Sequence, residues 1–451
     1  MIRAAALAFV LVGCAPSRSE LRSPVDALVE QRLGGTTGNA RELLGTLLEK
    51  PLDRAAAIKI AIANNARLAA AFDELGIAGG ELGAALSLGP VELHGSMRFG
   101  DHREYELDVI QNVIGLISAP RRRAAAKADI EAARANAAAA TLRLAARVDR
   151  AFTDLLAAQA DLANRRAQFD AADAAALLRE RMYAAGNTTA LAQARDRDAR
   201  EQARITVARA EATAEMRRES LNALLGLSGD DTKWTATGAL AALPATAPSI
   251  DSLEADAVTA SLELAAGRAR RDAAENHAAD VRLRTVLPEL GVGVSVHDEG
   301  EGTSVGPVVG IAIPLFDWRS GERAKANAAI DRAEHLLTAD AVELRANARS
   351  ARISALAAYQ EARHIADVII PLRSQILDET VKHYNAMDAD PFALMLARRE
   401  LADAESMQVD ALRRFWNAMS AVTALQRGVS LDITTDPAEP ARTPSRAHSR
   451  H

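Results

Sequence analysis

Cysteine is nearly absent from this chain of 451 residues: Cys14 is the only one, so no intramolecular disulfide can form. Aromatic residues make up only 3% of the sequence, and the net charge of −6 gives no electrostatic reason to expect nucleic-acid binding. The sequence has no CxxC pair, HExxH motif, phosphate-binding loop or nucleophile elbow, and its nine histidines are scattered. We therefore predict that the protein is not an enzyme and that it holds no metal and no cofactor.

The N-terminal stretch also lacks a run long enough to span a membrane. Arg3 precedes a short apolar segment, Ala4–Val12, which leads into Cys14 through one glycine. This layout is typical of an export signal, and the Leu-Val-Gly-Cys box resembles the site where bacterial lipoproteins are cut and acylated. We predict a signal peptide at residues 1–13 and a covalent lipid on Cys14, which begins an acylated N-terminal segment at residues 14–50. An ordinary secretory signal with an incidental cysteine is the alternative.

What the chain has in abundance is alanine and charge. Charged residues make up 25% of the sequence, and this mixture suits long, closely packed helices. The chain also repeats itself, because Arg123–Ala133 returns as Arg323–Ala333 and Met182–Arg195 as His383–Leu396, in the same order and at nearly constant spacing. The predicted organisation is a first structural repeat at 51–227, an irregular linker at 228–251, a second structural repeat at 252–428 and a disordered C-terminal tail at 429–451.

Each copy follows the same plan of helix, β-hairpin, long helix, turn and returning helix. The first helix and the long helix are predicted at 52–82 and about 120–185 in the first copy, and at 252–285 and about 321–387 in the second. Pro371 lies within the second long helix and is predicted either to kink it or to end it.

The two hairpins, predicted at residues 91–114 and 290–314, alternate apolar and polar residues with a period of two. Such alternation is typical of outer-membrane strands. A soluble half-buried hairpin has the same period, but the export signal and the aromatic residues at the strand ends, such as Phe99 and Trp318, favour the membrane alternative. For the two histidines of the polar set we favour solvated pore lining over metal contact. The residues predicted to face a lumen are His94, Arg98, Glu106, Asp108, Ser295 and His297.

The number of predicted strands bears on how the protein assembles. One chain offers four strands, whereas a sheet edge cannot face lipid and the smallest outer-membrane barrels have eight strands. Several chains must therefore pool their strands, although the number of copies does not follow from this argument.

Two stretches, Tyr183–Leu191 and Val309–Ile330, together with the duplicated layout, resemble the TolC family of outer-membrane efflux channels. The acylated start is similar to the lipoprotein branch of that family, and His383–Glu405 resembles members associated with heavy-metal resistance. The resemblance implies a fold that is mainly α with a small β part. It also implies a trimer whose three chains form a 12-stranded outer-membrane β-barrel, continuous with a periplasmic α-helical barrel.

The resemblance further implies that the turns after the long helices are periplasmic tips that contact an adaptor protein. These tip residues are Gly186, Asn187, Thr188, Thr189, Asp388, Ala389, Asp390 and Pro391. The sequence departs from the family where acidic residues ring the closed end, because Ala192, Ala393 and Leu396 stand there instead. We therefore predict a gate closed by apolar packing of Leu396 and Phe392, with help from Asp388 and Asp390.

The predicted function is that of the outer-membrane channel in a tripartite efflux system. We expect a homotrimer in the outer membrane of a Gram-negative bacterium, lipid-anchored and extending into the periplasm. Its expected partners are outer-membrane lipid, a periplasmic membrane-fusion adaptor and an inner-membrane efflux pump, for example of the RND type, and not nucleic acid. The alternatives are a type I secretion export duct and a structural periplasmic coiled-coil lipoprotein.

Overall fold

The computed structural model describes residues 16–34, 47–48, 50–87, 91–99, 103–286, 289–298, 302–312, 319–389 and 391–431. Cys14, Trp318 and Asp390 lie outside these residues, so the predictions made for them remain predictions. The chain divides into two compact units: the first comprises Met1–Thr37, Ala66–Thr141 and Ser261–Glu343, and the second comprises Gly38–Asn65, Leu142–Ala260 and Leu344–His451.

The chain is mostly helical with one small antiparallel sheet, which confirms that part of the predicted fold class. Helix α1 (Arg18–Leu33) precedes the first copy, which has the elements α2 (Arg54–Asn64), α3 (Ala66–Leu86), β1 (Val91–Phe99), β2 (Arg103–Asn112), α4 (Val113–Ala184) and α5 (Ala190–Leu225). The second copy has α6 (Leu253–Ala260), α7 (Leu262–Val286), β3 (Glu289–Asp298), β4 (Thr303–Ala312), α8 (Ser320–His364), a π-helical turn (Ile365–Ile369), α9 (Ile370–Asn385) and α10 (Pro391–Gln426).

The ends of α5 and α10 show the duplication in atomic detail. Gly226 and Gly428 follow the two helices with φ of 69° and 86°, a left-handed conformation that glycine adopts without steric cost. In each copy this glycine and the next residue donate their N–H groups back to carbonyls of the last helical turn. Val429 and Leu431 are buried, so the packed chain extends beyond the predicted tail boundary at residue 429.

The first helix of each copy is broken, whereas a continuous helix was predicted at 52–82 and at 252–285. Asn65 leaves the helical conformation with ψ of 114°, and its side-chain amide donates to the Leu224 carbonyl at 2.9 Å. In the second copy Ser261 interrupts the helix, and its hydroxyl accepts the Leu264 N–H at 3.1 Å. The Ser261 hydroxyl thus satisfies a backbone N–H that the break leaves free, and the Asn65 amide ties its break to the end of α5, so neither break needs a proline.

The long helices also differ from their predicted bounds. Helix α4 begins at Val113 rather than at Pro120, and Pro120 lies inside it. The Asn112 side chain accepts the Gly115 N–H at 3.3 Å, which starts the helix directly after β2 and ends the first hairpin before residue 114. In the second copy the predicted single helix is divided into α8, the π-helical turn and α9, and Pro371 lies in the first turn of α9.

A buried carboxylate links three helices of the second unit. Asp154 of α4 is only 5% exposed, and it accepts a 2.7 Å hydrogen bond from the Asn417 amide of α10. The guanidinium groups of Arg413 and Arg217 lie 3.4 Å and 3.8 Å from its two oxygens. Because a buried carboxylate is costly without such partners, these contacts fix α4, α5 and α10 against one another.

The segment that follows Cys14 contains a packed helix. Ser17 and Glu20 form a reciprocal capping box at the start of α1, and the backbone hydrogen bond from Ser17 lowers the pKa of Glu20. Leu21, Val25 and Val29 are buried on one side of α1. An added Cβ at Gly79 of α3 would lie 2.4 Å from Leu21 Cδ1, so this glycine permits the close approach of α1 and α3.

Candidate functional site

The four strands pair in the order β1-β2-β3-β4, so the two central strands come from different copies. Opposed residues share a face of a sheet, and the register places Leu93, Val109, Val294 and Pro307 in one row. The predicted alternation is therefore present on all four strands, and the apolar residues share one face. This face is bare in the single chain: its exposed members include Met97, Phe99, Leu107, Val292, Val305 and Val309.

The opposite face of the sheet carries the six residues that were predicted to face a lumen. His94, Asp108 and Ser295 are directly opposed across β1, β2 and β3. In the adjacent row Ser96 donates its hydroxyl to Glu106 at 3.1 Å, and Glu106 is opposed to His297. The remaining residue of the set, Arg98, lies 3.8 Å from the Glu104 carboxylate. The sheet thus has one apolar and one polar face.

Pairing between the two copies depends on a glycine that the sequence pattern alone did not single out. At Gly293 an added Cβ would lie 2.0 Å from the Val109 carbonyl oxygen, and at Gly291 it would lie 2.7 Å from Ile110 Cγ2. A side chain at residue 293 would therefore push β2 and β3 apart.

Within the described ranges, no group of three or more histidine, cysteine, aspartate or glutamate side chains is arranged to hold a metal ion. Among the described helices, none combines the length and the apolar character that a membrane crossing requires.

The first tip joins α4 to α5. Gly186 has φ of 74°, and Asn187 donates its N–H to the Met182 carbonyl at 2.8 Å, which closes the end of α4. The Thr189 hydroxyl then accepts the Ala192 N–H at 3.2 Å and caps the start of α5. Four predicted tip residues thus form one compact turn between two well-capped helix ends.

The second tip uses the same backbone with different residues. Met387 stands where Gly186 stands in the first copy, and its φ of 62° is also left-handed. Asp388 donates its N–H to the His383 carbonyl at 2.9 Å, as Asn187 does to Met182. A left-handed conformation costs a non-glycine residue about 1–2 kcal/mol, and the Met387 side chain is 96% exposed. Ala389 follows in this turn, and α10 starts at Pro391.

Arg179 organises the first tip, and sequence reasoning missed it. Its Nε lies 2.7 Å from the Asp196 carboxylate of α5, and its Nη1 donates to the Thr188 hydroxyl at 3.1 Å. Its guanidinium also lies 4.5 Å from the ring centroid of Phe392 on α10. The two charged side chains are only 12% and 15% exposed. One arginine in a charged helix gives no sequence signal for such a role.

The predicted gate residues lie close together in the chain but do not form a closed cluster in this single chain. Phe392 packs beneath Arg179, whereas Leu396, one helical turn later, is 57% exposed. The Asp388 carboxylate lies 2.9 Å from His383 Nδ1, and both side chains are well exposed. The apolar packing predicted for Leu396 therefore requires other chains and remains a prediction.

The backbone is similar to solved outer-membrane proteins. The CmeC outer membrane channel of Campylobacter jejuni matches with a TM-score of 0.71 at 13% identity, over 83% of this chain and 86% of that chain. The outer membrane protein VceC of Vibrio cholerae matches with a TM-score of 0.69 at 15% identity, over 83% of this chain and 96% of that chain. The MtrE outer membrane channel of Neisseria gonorrhoeae, in its open state, matches with a TM-score of 0.59 at 18% identity, over 85% of this chain and 91% of that chain.

No protein-family profile and no curated protein sequence matches the chain. At the identities given above, the structural likeness establishes the fold. The chain has the fold of outer-membrane channel proteins, and this confirms the resemblance in fold that the sequence indicated.

Proposed function

We propose that this protein is an outer-membrane channel of the TolC family, and that three copies form one conduit. The two-faced sheet carries the proposal. Its apolar face is suited to lipid, and its polar face, with His94, Asp108 and Ser295 in one row, is suited to water. The alternative of a structural coiled-coil lipoprotein does not explain a sheet with one apolar and one polar face.

The edges of the sheet support assembly into a closed barrel. In the described sheet, β1 and β4 each pair on one side only. Unpaired backbone groups cannot face lipid, so the edges must find partners, and four strands are too few to close on themselves. Three chains would pool twelve strands, with β1 of one copy beside β4 of the next.

We propose that the channel serves a tripartite efflux system in the outer membrane of a Gram-negative bacterium. In this proposal an inner-membrane pump and a periplasmic adaptor deliver substrates, and this chain conducts them passively to the exterior. A lipid on Cys14 would add a second hold on the membrane, next to the start of α1 at Arg18.

The two tips are the proposed contact with the adaptor. Backbone strain at an exposed residue is typical of functional sites, and Met387 combines a left-handed backbone with an almost fully exposed apolar side chain. Cysteines introduced at Thr188 and Ala389 should crosslink to the adaptor. Crosslinks from the loop after β3 instead would reverse the proposed orientation.

Reconstitution of the purified protein into liposomes tests the channel directly. Because the native gate is proposed to rest closed, release of small trapped solutes is expected from liposomes that contain at least one of the folded, trimeric gate variants Leu396→Ser and Asp388→Asn. Two gate variants that insert and remain trimeric but release nothing from the liposomes would contradict the proposed function.

A further inference from the structure

The apolar face of the sheet has a gap on strand β1. The register places Gly95 in a row with Leu107 and Val296, and in the described strands it is the only glycine on this face. An added Cβ at Gly95 would lie 4.0 Å from the Glu106 carbonyl oxygen, which is an ordinary contact distance. Unlike Gly293, this glycine is therefore not needed for the strands to pair.

The gap opens into a groove of about 450 Å³ on the same face. The groove is lined by Met97 of β1, by Tyr105 and Leu107 of β2 and by Val296 of β3. Cavities of this volume are large enough to hold a small molecule or part of a larger one. Because β2 and β3 are the central strands of the sheet, pairing of β1 and β4 with other copies would leave the groove open.

One end of the groove is polar. In the row next to that of Gly95, Tyr105 is aligned with Asp298 and Thr303, and all three residues line the groove. The Thr303 hydroxyl donates to the Asp298 carboxylate at 3.2 Å. On the other side of Gly95, the row that contains Leu93 is wholly apolar. The groove is therefore amphipathic, since it is apolar at Gly95 and becomes polar toward Tyr105.

The polar end of the groove lies toward the turns of the two hairpins. Strand β1 ends at Phe99 and β2 begins at Arg103, one row beyond Tyr105. In the proposed channel these turns face the cell exterior, so the groove lies in the outer half of the bilayer. A tyrosine at this height is typical of the membrane–water interface. An amphipathic groove in this position fits a lipid, with a chain in the apolar part and the headgroup at the polar end.

We propose that the groove binds one acyl chain of lipopolysaccharide, the glycolipid of the outer leaflet, with its sugar headgroup at Tyr105, Asp298 and Thr303. The inference rests on the proposed channel function and adds a ligand to it. A carboxylate accepts hydrogen bonds from the hydroxyl and amide groups of a sugar, whereas it repels a phosphodiester. Because lipid tails elsewhere are as apolar as the groove, retention depends on close packing at Gly95 and on hydrogen bonds at the polar end.

Filling the gap tests the groove. Gly95→Leu places a side chain where the acyl chain would lie, and the free space around Gly95 allows it. Trimers are released from outer membranes in mild detergent, and native mass spectrometry counts the bound lipid. The native trimer should retain lipopolysaccharide, and Gly95→Leu should retain at least tenfold less. Val309→Leu, on the same face but outside the groove, is the matched control and should stay within twofold of the native value.

A competition experiment identifies the lipid. Trimers freed of lipid are mixed with equal amounts of lipopolysaccharide and phosphatidylethanolamine, and lipopolysaccharide should be bound in severalfold excess. Equal binding, or a preference for phosphatidylethanolamine, would overturn the glycolipid assignment. A trimeric native protein that inserts into the outer membrane but retains no lipid would overturn the site, as would a folded Gly95→Leu variant that retains as much as the native protein. Failure of both gate variants to release solute from liposomes would instead count against the channel function.

A second variant covers the case in which Gly95→Leu does not fold. Tyr105→Phe removes the hydroxyl at the polar end of the groove and keeps the aromatic ring. Retention of lipopolysaccharide should fall severalfold. Tyr183→Phe on α4 is the matched control and should leave retention unchanged, because Tyr183 is as exposed as Tyr105 and lies outside the groove. Unchanged retention in Tyr105→Phe would contradict the position assigned to the headgroup.

Discussion

The two tips of this duplicated chain have the same backbone and different support. At the first tip Arg179 joins Asp196, Thr188 and Phe392, and the ion pair is shielded from solvent. At the second tip the side-chain pair is His383 with Asp388, and both groups are well exposed. Removing one partner at the first tip would leave a shielded charge unpaired, which costs more than breaking the exposed pair at the second tip.

The residues in the left-handed position show the same contrast. Gly186 adopts this conformation freely in the first tip, whereas Met387 adopts it at a cost in the second. A tip that is strained, exposed and weakly paired is the one expected to move or to bind a partner. The comparison therefore assigns a fixed role to the first tip and a mobile role to the second.

The largest effect is expected from breaking the support of the first tip. Arg179→Ala should lower the local free energy of opening by about 3 kcal/mol, because Asp196 would be left shielded without its partner. Hydrogen exchange of residues 176–196 measures this. Arg166→Ala is the matched control, since its pair with Glu211 is exposed and should contribute less than about 1 kcal/mol. If the two substitutions lower the local free energy of opening equally, the shielded pair gives the first tip no special support.

The next largest effect concerns the proposed gate. If Leu396 packs against other copies in the closed state, Leu396→Ser removes burial worth about 1.5–3 kcal/mol. The resting conductance should then rise by about tenfold or more. Asp388→Asn should change it much less, because Asp388 is exposed and pairs within its own chain. If Asp388→Asn raises the resting conductance and Leu396→Ser leaves it unchanged, the gate is closed by electrostatic interactions and not by apolar packing.

Exchanging the residues in the left-handed position should give smaller effects of opposite sign. Met387→Gly should stabilise the second tip by about 0.5–1 kcal/mol, since relief of the strained φ is partly offset by the greater freedom of glycine when unfolded. Gly186→Ala should destabilise the first tip by about 1 kcal/mol. Hydrogen exchange of the tip residues measures both changes in stability. A loss of protection at the second tip in Met387→Gly would contradict the strain assigned to Met387.

The smallest effect is expected at Lys382, on the last turns of α9. Its ammonium group donates a 2.8 Å hydrogen bond to the Glu379 carboxylate and lowers the pKa of that group. The pair therefore stabilises α9 only while the carboxylate is ionised. Lys382→Met should slightly reduce protection of α9 at neutral pH and leave it unchanged in acid, where Glu379 is protonated. A larger loss in acid than at neutral pH would contradict this sign.

The phase of the strands was predictable because the side-chain period of two is visible in any single strand. The alternation from Val91 to Phe99, from Tyr105 to Val109 and from Leu290 to His297 placed every predicted lumen residue on one face. The pairing of β2 with β3 was not predictable, since alternation does not say which strands are neighbours. The steric need for Gly293 becomes visible only when Val109 lies against it.

Helix interruptions were harder to predict than strands. The breaks at Asn65 and Ser261 arise from side-chain hydrogen bonds, one of them to a distant carbonyl at Leu224. Pro371 marked its helix as irregular, but the π-helical turn precedes it and depends on the backbone of Ile365–Ile369. Arg179 was missed because it contacts Thr188 and Asp196 only once the tip turn has formed, and its third partner, Phe392, comes from the distant helix α10.

Chemical labelling of single cysteines on β3 tests most directly whether the polar face lines a conducting pore. Ser295→Cys and Val294→Cys are neighbours in sequence and lie on opposite faces of the sheet. In a Cys14→Ser background, single-channel currents are recorded before and after a charged, membrane-impermeant thiol reagent is added. The account predicts that the reagent changes the conductance of Ser295→Cys and leaves Val294→Cys unaffected. Equal responses at the two positions, or the absence of any current from folded protein, would contradict it.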